Sequence, residues 1–84
     1  MLDPEVEYGN KEYKRHLLNI TKDRFDELLS QMKWRLSEGN GIAYYYLGVD
    51  DDGSLYKLNS EEIKKSIDNV KKLIEASDSK IKNI

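Results

Sequence analysis

The chain has 84 residues, 38 % apolar and 36 % charged, with a net charge of −2 and no cysteine. A chain this short buries only about 60 % of the surface its unfolded form exposes, so one two-layer core is the most it can build. The absence of cysteine excludes disulfides and thiolate sites, and the slight acidity argues against a general nucleic-acid coat protein. No apolar run reaches the roughly 18 residues of a membrane span and no signal-peptide pattern opens the sequence, so it reads as a soluble, cytoplasmic domain.

Residues 1–11 carry the single proline among acidic and turn-forming residues and read as an extended lead-in rather than a packed element. Residues 12–84 then form one α+β domain. Residues 12–18 suit a first strand, in which Tyr13, Arg15 and Leu17 alternate with Lys14, His16 and Leu18. Thr21 is a natural N-cap for a helix over 22–38, because its hydroxyl can accept from amides of the first turn. In that helix Phe25, Leu28, Leu29, Met32 and Leu36 line one face and point to a core. Trp34 falls about 180° from Phe25, among polar neighbours. A tryptophan there either lies under another element or awaits a partner.

Gly39 is placed to take the left-handed position that ends the helix. A strand over 42–49 follows, with Ala43, Tyr45, Leu47 and Val49 facing inward and Tyr44 and Tyr46 outward. Asp50-Asp51-Asp52-Gly53 is a hairpin signal leading to a short strand over 54–58. Asn59 and Glu62 form a capping box, and Leu58 with Ile63 a hydrophobic staple, at the head of a second helix ending near Ser77. Its apolar stripe is Ile63, Ile67, Val70 and Ile74, with Leu73 at the edge. Lys80 to Ile84 resumes strand-like alternation. The expected order is β-α-β-β-α with a truncated fourth strand, a small two-layer α+β sandwich with both helices on one face of a mainly antiparallel sheet.

The chemistry tested along the chain leaves little for catalysis. One histidine without cysteine removes nearly every zinc pattern. With Gly53 set at loop position six, the acidic turn lacks the first carboxylate and the bidentate glutamate of an EF-hand, so its aspartates belong to a turn. No G-x-x-x-x-G-K-S/T phosphate loop is present. His16 lies among surface charges, and Glu61 with Glu62 complements the dipole of a helix first turn. From Asn59 onward six lysines face five acidic residues, the mixed surface of a solvated helix. Binding has better support: Lys14 beside Tyr13, Gln31, Lys33 and Arg35 around Trp34, and the outward Tyr44 and Tyr46 mix aromatic and basic groups as RNA-contacting surfaces do.

The run Gln31-Met32-Lys33-Trp34-Arg35-Leu36, then Glu38-Gly39, Ala43, Tyr45, Gly48-Val49 and Asp51-Asp52-Gly53, resembles translational GTPases of the GTP-binding protein 1 and 2 group. These are relatives of elongation factor one-alpha. The match reaches back through Pro4-Glu5, Gly9-Asn10 and Glu12-Tyr13-Lys14, and forward through Leu55 and Leu58. The resemblance implies an N-terminal, non-catalytic accessory module, with GTP and Mg²⁺ held only in a downstream domain and a role in translation or mRNA turnover. Its expected partners are RNA, the ribosome or its own GTPase core. Arg15 stands where the group tends to have an apolar residue, and Tyr44 and Tyr46 make the outer face more aromatic than in relatives. A looser similarity, in the Glu-Tyr-Lys strand and the Gly-Val-Asp-Asp-Asp-Gly hairpin, is to Alba-like domains of Schlafen-type proteins, which bind nucleic acid or regulate. A protein-interaction module without RNA affinity is the competing expectation.

Overall fold

A computed structural model describes residues 2–80. Its elements are β1 (Lys11–Lys14), α1 (Lys22–Glu38), β2 (Tyr44–Leu47) and α2 (Ser60–Ala76). The helices form where local chemistry demands them. Thr21 Oγ1 accepts from the Arg24 amide at 3.2 Å. Asn59 Oδ1 accepts from the Glu62 amide at 2.8 Å while Glu62 Oε1 accepts from the Asn59 amide at 3.1 Å, so both halves of the capping box are made.

The α+β class holds, but the sheet differs from expectation in direction and extent. β1 and β2 pair in parallel, with Lys11 opposite Tyr44 and Lys14 opposite Leu47. Alternation of inward and outward side chains is the same in parallel and antiparallel pairs, so it could not reveal the direction. α1 is the crossover that a parallel pair requires. Both strands are shorter than expected, and the strand expected over 54–58 is reduced to a single antiparallel bridge between Val49 and Leu55. The strand-like segment 81–84 lies outside the described residues.

The core lies between sheet and helices. Leu17, Leu28, Met32 and Leu73 are buried, with Phe25, Leu29, Leu36, Tyr45, Leu47, Val70 and Ile74 packed around them. The first helix therefore buries its expected stripe. The second is rotated: its most buried residues are Ser66 and Leu73, about 80° round from the centre of the isoleucine stripe, of which Val70 and Ile74 still pack on the core. Hydrogen bonds cause the rotation. Ser66 Oγ accepts from the Leu17 amide at 3.1 Å, and Asn69 Nδ2 donates to the Leu17 carbonyl at 2.6 Å. The chain leaving β1 is thus satisfied by α2, and Ile63 is left 41 % exposed.

Two glycines are set by close approach. Gly39 has φ −101°, and the left-handed residues that end α1 are Asn40 and Gly41 instead. A Cβ on Gly39 would overlap the Ile42 carbonyl and the Asn10 side chain. Gly53 takes φ +89° in the hairpin, and a Cβ there would overlap the backbone of Leu2 and Asp3. The lead-in is therefore packed, contrary to its sequence reading. The Leu2 amide donates to the Gly53 carbonyl at 3.2 Å, and the Glu5 amide to the Asp51 carbonyl at 2.7 Å.

Candidate docking face around Trp34

Arg35 organises this face from below. It lies seven residues after Leu28 and three after Met32, on the buried side of α1, and is only 4 % exposed. A buried guanidinium is tolerated only when its fixed fork of donors is filled. Here Nε donates to Glu12 Oε1 at 3.2 Å, Nη1 to the carbonyls of Tyr8 and Gly9 at 3.0 Å each, and Nη2 to the Val6 carbonyl at 2.9 Å. Glu5 Oε2 stands 3.9 Å from Nη2. Arg35 was expected to flank Trp34 as a surface contact. The structure withdraws it inside, where it clamps the lead-in to the first helix.

Trp34 takes the remaining carbonyl of the same run. Its indole Nε1 donates to the Glu7 carbonyl at 3.1 Å, so two consecutive helix residues bind four consecutive carbonyls, Val6 to Gly9. Glu38 Oε1 accepts from the Gly9 amide at 3.0 Å and closes the far end. Trp34 nonetheless remains 52 % exposed, and Tyr8 beside its anchor is 71 % exposed. The lead-in thus fixes the polar edge of Trp34, while the ring still faces outward.

Two acids under this clamp titrate unusually. Burial pushes the Glu5 carboxyl up to about 7, helped by its hydrogen bond and like charge with Glu12 and opposed by the Tyr13 amide. Glu12 moves the other way. Its burial raises the pKa, but the hydrogen bond from Glu5 and the charges of Lys14 and Arg35 outweigh that and lower it. Burial thus favours one proton on the pair, carried by Glu5 below about pH 7. Tyr45 packs above them with its hydroxyl buried and without a protein partner, and burial beside Glu12 pushes that phenol up.

The other expected site residues do not gather around Trp34. Lys14 Nζ donates to Gln31 Oε1 at 2.7 Å and lies 3.7 Å from Glu12, so these two side chains join β1 to α1. Lys33 is exposed on α1. Tyr44 is exposed at the start of β2, whereas Tyr46 is half-buried and meets the buried Tyr13 edge-on at 5.4 Å. Among the described residues no group of three or more metal-ligating side chains converges. Asp50 and Asp52 instead accept from Arg15 and Ser54. Glu5, Val6 and Tyr8 were missed by sequence reasoning because an extended acidic segment has no periodicity to mark a buried face. Arg35 could have been found, since its spacing from Leu28 and Met32 sets it on the core stripe.

No family model matches the chain, and no solved structure matches it. Among the described residues no helix is long and apolar enough to cross a membrane. The chain is 47 % identical over 74 residues to GTP-binding protein 2 of Homo sapiens, and equally to that of Mus musculus, over 88 % of its own length. It is 32 % identical over 59 residues to GTP-binding protein 1 of Xenopus laevis, and 40 % identical over 58 residues to an uncharacterized protein of Acanthamoeba polyphaga mimivirus. It spans 12 % of the length of GTP-binding protein 2, 9 % of GTP-binding protein 1 and 31 % of the viral protein. The chain is thus homologous, over most of its length, to one segment of the GTP-binding proteins 1 and 2.

Proposed function

We propose that the chain is a non-catalytic accessory domain of a cytoplasmic GTP-binding protein of the translational GTPase type. In this reading it lies ahead of the nucleotide-binding domain and docks on that domain through the face around Trp34. GTP and Mg²⁺ would be bound there and not in this segment, which has no phosphate loop. The observation that carries the docking is the half-exposed Trp34 beside Tyr8, held on backbone locked by the buried Arg35. Large aromatics fixed in place before binding make strong interface anchors, because little side-chain entropy remains to be lost.

The charges favour a protein surface over RNA at this face. Arg35 and Lys14 are committed to internal acids and carbonyls, and Glu7 and Glu38 border the tryptophan. A phosphate backbone would meet Lys33 with little support. One observation favours a second reading, RNA contact on the outer sheet face: Arg15 lies 4.9 Å over the Tyr56 ring at one end of β2, and Tyr44 is exposed at the other.

Trp34 is the single tryptophan in the chain, so its emission reports its own environment. Titrating the GTP-binding portion of the parent protein into this chain should shift that emission to the blue, and Tyr8→Ala should weaken the complex about tenfold or more. No shift, together with salt-sensitive RNA binding lost in Tyr44→Ala, would replace this reading with the second. Measurable GTP turnover by the 84-residue chain alone would overturn the non-catalytic assignment.

A further inference from the structure

Glu5 is the residue at which the lead-in meets three elements at once. Its amide donates to the Asp51 carbonyl of the hairpin at 2.7 Å, its carboxyl accepts from the Tyr13 amide on the outer edge of β1, and its Oε2 stands 3.9 Å from Arg35 Nη2 on α1. The four residues that follow, Val6 to Gly9, supply the carbonyls held by Arg35 and Trp34. A movement of Glu5 therefore reaches the backbone on which the Trp34 indole is anchored. The other acids of the lead-in, Asp3 and Glu7, are exposed.

The Glu5 carboxyl is set against a second one. Glu12 is buried, accepts from Arg35 Nε at 3.2 Å and is hydrogen-bonded to Glu5. A hydrogen bond between two carboxyl groups requires a proton on one of them, because an ionised carboxylate only accepts. The charged and titratable groups facing the pair come from every element around it: Lys14 on β1, 3.7 Å from Glu12, Arg35 on α1, the buried Tyr45 hydroxyl on β2 and Asp51 in the hairpin. Arg35 keeps its charge throughout. Burial beside Glu12 pushes the Tyr45 phenol up. Glu12, despite its burial, is held ionised by the hydrogen bond from Glu5 and the charges of Lys14 and Arg35. Arg35 gives its N–H groups to Glu12 and to the lead-in carbonyls, and its distance to Glu5 is beyond hydrogen-bond reach. Loss of the proton thus puts a second negative charge beside Glu12, largely out of water, with the Tyr13 amide as its one donor among the described residues.

We infer that Glu5 is a proton-operated latch for the lead-in. With a proton between Glu5 and Glu12 the lead-in is closed on β1 and α1, and the indole is anchored on the Glu7 carbonyl. With both acids ionised, their repulsion favours local opening of the lead-in, and Trp34 loses that anchor. Glu5 binds its proton more tightly in the closed state, so closure is favoured as pH falls and opening as pH rises through about 7. The latch works in the free chain and does not depend on docking at Trp34, so either reading stands if the other fails.

The test is nuclear magnetic resonance on the 84-residue chain and on its Glu5→Gln variant, read at about pH 5.5 and about pH 8.5. Hydrogen-exchange protection of the Trp34 indole and of the Gly9 and Tyr13 amides, corrected for intrinsic exchange, should fall about tenfold or more over this interval. At the higher pH it should also lie about tenfold or more below that of the Leu28 amide in the middle of α1, because the lead-in opens without unfolding the core. Glu5→Gln keeps an acceptor for the Tyr13 amide and a donor for Glu12 at every pH, so it should hold the protection constant within about twofold. Protection equal to that of Leu28 at both pH values would join the lead-in to one all-or-none unit and overturn the latch. Protection that does not fall in the wild-type chain, or that falls as far in Glu5→Gln, also overturns it. If the variant does not fold, the wild-type Glu5 carboxyl resonance decides: titration near the ordinary 4.5 overturns the proposal, and titration near 7 with the loss of protection upholds it.

Discussion

The β1 side of the sheet is closed by charge, whereas the β2 side faces apolar surface, and the two have different requirements. On the β1 side the lead-in is held through four of its carbonyls by the buried Arg35 and by Trp34, beside the pair Glu5 and Glu12. Each of those groups depends on the others, because an uncompensated charge in that position costs several kcal/mol. On the β2 side the isoleucine stripe of α2 tolerates partial exposure, as at Ile63. The lesson is that the polar edge requires specific partners placed by the fold, whereas the apolar surface requires only matching shape.

The sharpest way to break the contrast is Arg35→Ala. Removing one member of a buried ionic cluster should cost about 3–5 kcal/mol, read as a lower denaturation midpoint. It should also release the lead-in, seen as rapid exchange of the Glu5 and Gly9 amides. Leu73→Ala, a truncation of the fully buried leucine of α2, should cost about 2–5 kcal/mol, whereas Ile63→Ala on the exposed side of α2 should cost about 1 kcal/mol or less. Equal costs at the two positions would show that the exposed side of α2 is packed as tightly as the core.

The proton on Glu5 gives a pH signature of the β1 side. Its folded pKa of about 7 lies above the ordinary 4.5, so the folded state binds this proton more tightly than the unfolded chain. Its contribution is complete below the ordinary value and is lost as pH rises through about 7, on the order of 1–3 kcal/mol in total. Glu12, whose pKa is lowered, acts in the opposite sense and loses its contribution as pH falls below the ordinary carboxylate range. The melting temperature should therefore fall between about pH 5 and about pH 8, and Glu5→Gln should flatten that slope. A wild-type melting temperature that rises over this interval would contradict the shared proton. The smallest effect is expected for Tyr45→Phe. Removing a buried hydroxyl without a protein partner should change stability by about 1 kcal/mol or less, in either direction.

Local signals were read correctly where the physics is local. Thr21 caps α1, Asn59 and Glu62 box the start of α2, and the Phe25–Leu36 stripe faces the core. Each depends on groups within a few turns of one another. The aspartate-rich hairpin also forms, with the Gly53 amide donating to the Asp50 carbonyl at 2.8 Å. The candidate site was legible only in part. Trp34 does stand on the polar side of its helix, but its grouping with Arg35, Lys14 and Gln31 followed from sequence adjacency and type. The structure sends Arg35 inward and ties Lys14 to Gln31.

What the sequence by itself determined is therefore the two helices, their ends, the turn and the apolar face of α1, since short-range hydrogen bonds and periodicity specify them. Only the tertiary structure decided that the strands run parallel, that α2 turns its serine rather than its isoleucines to Leu17, and that an acidic lead-in is a packed element. Those outcomes depend on pairings such as Arg35 with Tyr8 and Leu17 with Ser66, separated by 27 and 49 residues. A donor fork or a strand edge is indifferent to which distant partner fills it until the whole core is assembled, and no local pattern encodes that choice.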